Sequence, residues 1–194
     1  MRRDTLTDMH DQDIEELINH YNRWRQIFRY ANQSVPNEPI WENGRLYFRE
    51  GYPNPGWSAL ILEFSSDGHY AVLHASTERR NTPLESTRAV FSQVQDAGKY
   101  IMYEVADLLR VSIGLKPLER QWRDAGLDAS VRKVTLSDKQ AKYELVTDPT
   151  VYFIAYSGGI QPFNHILPLS YDQLDSQLLE GFPSRVTAQL AGSG

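Results

Sequence analysis

W-S-A-L-I-L-E-F (Trp57–Phe64) and Y-A-V-L-H-A (Tyr70–Ala75), with Ser66, Asp67 and Gly68 between them, decide the fold. The first run is nearly all apolar, as in a strand covered on both faces, and the second reads as its neighbour. Asp-Gly between apolar runs favours a tight turn, because glycine accepts positive φ without a Cβ clash. The two runs therefore read as an antiparallel hairpin. Downstream, Thr82, Pro83, Leu84 and Glu85 have the form of a helix start, with a hydroxyl for a free amide, a proline where no donor is needed, and an acid reaching back. Val90, Val94, Ala97, Ile101, Val105, Leu108 and Leu109 then recur every three or four residues and form one stripe ending near Gly114. A long helix opening at Thr82 is expected to cover the hairpin.

Working outward toward the N-terminus, Ile14, Leu17, Ile18, Tyr21, Trp24 and Phe28 have helical spacing, with acids leading and Arg23, Arg25 and Arg29 following, as the helix dipole favours. Asn43-Gly44 is a second turn signal, and Leu46 to Phe48 reads as a short strand beside the hairpin. Glu50 to Gly56 carries two prolines and two glycines and reads as an exposed loop. Toward the C-terminus, Leu118 to Ala125 reads as a short helix stopped by Gly126. Val131 to Leu136, Tyr143 to Val146 and Val151 to Tyr156 read as strands, and Ser170 opens a helix bearing Leu174, Leu178 and Leu179. The expected architecture is α+β: a single domain over 1–189, a mainly antiparallel sheet of about six strands packed by a long central helix, N- and C-terminal helices, and a flexible tail over 190–194.

The chain has 194 residues, long enough for one well-buried core, and a formal net charge of −5. That charge argues against nucleic-acid or anionic-membrane partners, which draw on a basic surface. The charge is unevenly placed: Glu144 to Glu180 contains no lysine or arginine, whereas Arg110 to Lys133 is rich in both. With no cysteine, thiol catalysis and thiolate metal sites are excluded, and a reducing cytoplasm is the expected setting. No stretch reaches the roughly eighteen apolar residues of a membrane span.

His10, His20, His69, His74 and His165 lack the spacing of a zinc site. Ser157-Gly158-Gly159 follows a strand but lacks the glycine two residues before the serine of a nucleophile elbow, and reads as a strand-end turn. Phosphate-binding glycine patterns are absent, and the paired Glu15 and Glu16 fit a helix N-terminal half. No catalytic, cofactor-binding or metal-binding residue is assigned. The positions left are the Glu50–Trp57 loop and the connection Thr77-Glu78-Arg79-Arg80-Asn81. The loop offers Tyr52 and Trp57, rings with little entropy to lose, beside adaptable Asn54, the equipment of a protein-binding loop.

The order of landmarks resembles a family of small, acidic, cysteine-free actinobacterial immunity proteins that includes the antitoxin of the tuberculosis necrotizing toxin. The resemblance rests on G-R-L-Y-F (Gly44–Phe48), L-I-L-E-F and G-H-Y-A-V in the hairpin, D-A-G-K-Y-I (Asp96–Ile101), L-P-L-S-Y (Leu167–Tyr171) and E-G-F-P (Glu180–Pro183), spanning Trp41 to Pro183. It implies a cytosolic, non-enzymatic binder that occludes the active cleft of an NAD-degrading toxin. On that expectation the partner contact falls on Glu50, Tyr52, Asn54, Trp57, Glu78 and Arg79, carboxylates and carbonyls meeting a basic, NAD-binding cleft. The alternatives are a general interaction domain or secretion chaperone, and an enzyme of unfamiliar motif using His165, Asp172 or Tyr171.

Overall fold

A computed structural model describes residues 4–78, 82–156 and 159–192, with side chains from residue 12 onward. Asn43 and Gly44 both take positive φ, 52° and 76°, the conformation of a two-residue hairpin turn. They join β1 (Ile40–Glu42) to β2 (Arg45–Glu50). β3 (Ser58–Phe64) and β4 (Tyr70–Ser76) pair in unbroken antiparallel register from Ser58↔Ser76 to Phe64↔Tyr70. Gly68, at φ 87°, closes their turn.

The segment after this hairpin differs from the sequence expectation. Thr82 to Glu85 does not open a helix: Leu84–Phe91 is β5, antiparallel to β4, with a register shift that leaves Arg88 without an opposite residue. A helix there would leave the outer edge of β4 with unpaired amides and carbonyls. Pairing the whole edge outweighs one capping signal, worth about 1 kcal/mol. The helix α2 starts later, at Val94, and runs to Ser112; Gln93 precedes it in an extended conformation with no side-chain cap.

After α2 and α3 (Leu118–Ala125) the chain adds β6 (Val131–Ser137), β7 (Gln140–Leu145) and β8 (Tyr152–Ala155). One eight-stranded sheet results, in the order β1-β2-β3-β4-β5-β8-β7-β6. All neighbours are antiparallel, and the two meanders meet only at β5 and β8 through Ala89↔Ala155, Val90↔Ile154 and Phe91↔Phe153. The strands beyond the expected six are β1, only three residues long, and β5.

The main core lies between the helices and one face of the sheet. Leu17, Tyr21 and Trp24 of α1 (Asp4–Tyr30) and Ala97, Ile101 and Met102 of α2 pack on Leu46, Leu62, Val72, Phe91 and Phe153. A smaller cluster of Ala59, Ile61 and Ala75 belongs to the other face. α4 (Tyr171–Leu179) opens with a capping box between Ser170 and Gln173. It is fixed to α1 by the buried Asp175, which accepts from Trp24 Nε1 at 2.7 Å and Arg23 Nη1 at 2.9 Å. α5 (Ser184–Ala191) extends past the point where a loose tail is expected, with Leu190 against the core.

Candidate functional site

Alternation along β2 sends neighbouring residues to opposite faces and so divides the region from Arg49 to Trp57. Arg49 lies on the face without helices. Its Nη1 and Nη2 donate to the Glu42 carboxylate at 2.9 and 2.5 Å, and these bonds hold Glu42 below the usual carboxylate range. The guanidinium sits 4.7, 4.6 and 5.7 Å from the ring centres of Tyr47, Tyr52 and Trp57, in cation–π range. Tyr52 and Trp57 also meet edge to face at 5.7 Å.

Backbone bonds fix the rest of the loop. Asn54 N donates to Gly51 O at 2.9 Å, and Trp57 N to Asn54 O at 3.3 Å. Asn37 brackets Tyr52 by donating to its carbonyl at 2.9 Å and accepting from its amide at 3.2 Å. The Tyr52–Pro53 peptide is cis. Thr77 ties this loop to the one after β4: its amide and hydroxyl both donate to Trp57 O at 3.0 Å. Tyr52 remains 44% exposed, and Asn54 and Glu78 are exposed. The structure thus brings Tyr52, Asn54, Trp57 and the Thr77–Glu78 segment to one end of the sheet; Arg79 lies outside the described residues.

Glu50 takes the other side. It faces the helices and lines a cavity of about 220 Å³ with Tyr21, Phe48, Leu60, His74 and Glu104. Burial raises the pKa of Glu50; it does the same to Glu104, where a hydrogen bond from Tyr100 and the field of Arg88 pull back. Burial, and then Arg88, lowers that of His74. Glu104 and Leu108 also border a second hollow of about 540 Å³, running along Tyr100, Tyr103, Asp107 and Val111 of α2. Asp107 is already engaged, accepting from the amides of Leu118 at 2.5 Å and Glu119 at 2.9 Å at the start of α3. Sequence reasoning missed Arg49 and Glu104, weighed His74 only as one of five histidines without metal-site spacing, and took in Thr77 only as the first residue of the connection that carries Glu78. Glu104 carried a readable signal, an acid set between Ile101 and Val105 in an apolar helical stripe.

The residues considered for an unfamiliar enzyme do not converge. His165 stacks on Trp122 at 5.5 Å and faces Gly126 O at 3.0 Å and Asp128 at 3.3 Å. Tyr171 stacks on His20 at 4.3 Å, beside Gly98 of α2, and Asp172 is exposed. Ser157 and Gly158, like the side chain of His10, lie outside the described residues. Among the described residues no group of three or more His, Asp or Glu is placed to hold a metal, and no helix is long and apolar enough to cross a membrane.

Fold and site together define a two-layer α+β protein, one antiparallel sheet backed by helices, with the Glu50–Trp57 loop and a cavity of mixed apolar and polar lining at one end. Comparison with solved structures finds this architecture in Rv3902c from M. tuberculosis, with a TM-score of 0.52 and 15% sequence identity, over 79% of this chain and 87% of that one. At that identity the likeness establishes a shared fold. No protein-family profile and no curated protein sequence matches the chain.

Proposed function

We propose that this chain is an immunity protein, a cytoplasmic antitoxin that binds a cognate toxin and covers its active cleft, the toxin being one that degrades NAD. The observation that carries the reading is the bracing of the Glu50–Trp57 loop by Arg49, Asn37 and Thr77 with the Tyr52 ring left in solvent. A loop already held in one shape loses little entropy on docking, and an exposed aromatic on a rigid base is a common energetic anchor. The formal charge of −5 favours encounter with a basic cleft. Tyr52, Asn54, Trp57 and Glu78 form the proposed contact, with Glu50 reaching it from the groove side and Arg79 adjoining in sequence.

The test is to capture the partner from the native cell on the immobilised chain, release it, and follow NAD consumption by the released material. Consumption that stops on adding equimolar chain is the expected result; consumption that continues unchanged rejects the inhibitor reading. Given the captured toxin, Tyr52→Ala combined with Asn54→Lys is expected to weaken binding about thirtyfold or more by calorimetry. Undiminished binding moves the contact elsewhere on the protein. An acid–base enzyme is the second reading, favoured by the meeting of Glu50, His74 and Glu104 in one cavity. Turnover of a small compound by the purified chain alone would establish it.

A further inference from the structure

We propose that the cavity between β2, β4 and α2 receives one lysine or arginine side chain of the partner, its stem against Phe48, Leu60 and Val105 and its cationic head between Glu50 and Glu104. The inference deepens the inhibitor reading and rests on it.

Three features of the cavity converge on this occupant. Its volume of about 220 Å³ lies below the roughly 300 Å³ at which drug-sized ligand sites begin, a scale suited to a single side chain. Its walls are divided: Phe48, Leu60, Val105 and the ring of Tyr21 are apolar, while Glu50, Ser58, His74 and Glu104 supply the polar positions. A long basic side chain has the same division, an aliphatic stem and a charged end. The charge is also complementary. Neither carboxylate forms an ion pair among the described residues. Arg49, although it borders the cavity, gives its guanidinium to Glu42 on the other face, and Arg88 acts on Glu104 through space. The rim carries Leu108, 44% exposed, and adjoins the loop that bears Tyr52, so a partner seated on that loop has the cavity within reach.

The experiment is an NMR titration of the full chain with N-acetyl-lysine methylamide, using N-acetyl-norleucine methylamide as a control with the same stem and no charge. Saturable shifts confined to Ala59, His74, Val105 and Leu108 are expected with the lysine probe. The Glu50→Gln/Glu104→Gln double variant and the norleucine probe should each bind at least about tenfold more weakly. Unchanged signals from α4 in the double variant confirm that it folds. Equal binding of both probes, or no saturable shift with the lysine probe, overturns the proposal. Because the titration contains no toxin, its failure leaves the NAD assay to decide the inhibitor reading. Failure of that assay equally leaves this titration interpretable.

Discussion

α2 carries buried or half-buried charges at both of its ends and at its middle, and they are treated in opposite ways. Near its start, Lys99 pairs with Asp96 at 2.7 Å and donates to Ile166 O at 2.9 Å and Leu169 O at 2.7 Å. Near its end, Arg110 donates to Leu178 O at 2.6 Å, Glu180 O at 2.8 Å and twice to Lys116 O, at 3.2 and 3.0 Å. Both cations are held from within, and both bind the C-terminal part of the chain to the helix. Glu104, between them, has a hydrogen bond from Tyr100 and the field of Arg88 but no ion pair among the described residues, and borders the groove. A buried charge that serves the fold is surrounded by its own partners; the one left open faces outward at the end where the loops gather.

The strongest way to break this contrast is Arg110→Met. It strips the donor from the carbonyls of Lys116, Leu178 and Glu180 and leaves Asp107 without its nearby cation, at a cost of about 3–5 kcal/mol. Denaturant unfolding measures it, and a loss below about 1 kcal/mol would show that these internally paired cations are not structural. Gly98→Ala comes next. A Cβ there runs into the Tyr171 hydroxyl and also meets Leu17 at 3.1 Å, so the crowding outweighs the gain in helix propensity, by about 1–3 kcal/mol. Tyr171→Phe, whose lost hydroxyl has no hydrogen-bond partner among the described residues, should be close to neutral alone and should rescue much of the Gly98→Ala loss. A purely additive double variant would contradict the close approach.

Glu104→Gln has the smallest expected effect, on the order of 1 kcal/mol or less, and the opposite sign. The folded state binds this proton more tightly than the unfolded state, because burial raises the carboxyl's pKa. Its contribution is therefore complete below the unfolded carboxylate range and is lost as pH rises through the folded value. The variant should be more stable than the parent at neutral pH and indistinguishable from it near pH 3–4. Equal stability at both pH values would mean that Glu104 is solvated as an ordinary surface acid.

Much of this architecture is legible in the sequence, because its signals are local. Asn43-Gly44, Asp67-Gly68, Gly126 and the Ser170–Gln173 box each specify a turn or a cap through their own chemistry, and each appears where expected. β5 was not legible. Its residues from Leu84 to Arg88 are exposed and carry no strand alternation, and their conformation is set by the edge of β4 rather than by their own preference. β1 is too short to produce a pattern and exists through its turn with β2. The site follows the same division. Tyr52 and Trp57 announce themselves by residue type, whereas Arg49, Thr77 and His74 matter through partners distant in sequence. Glu50 is adjacent to Arg49 in the chain and faces away from it because a strand alternates.

The three residue pairs that join β5 to β8 give the sheet a kinetic grain. Each meander is assembled from contacts between consecutive or nearly consecutive strands, which close quickly, whereas the junction has to bring Phe91 together with Phe153 across the whole of α2 and α3. Amides of β6, β7 and β8 should accordingly exchange with solvent as one cooperative group, ahead of those in β3 and β4, when the chain is mildly destabilised.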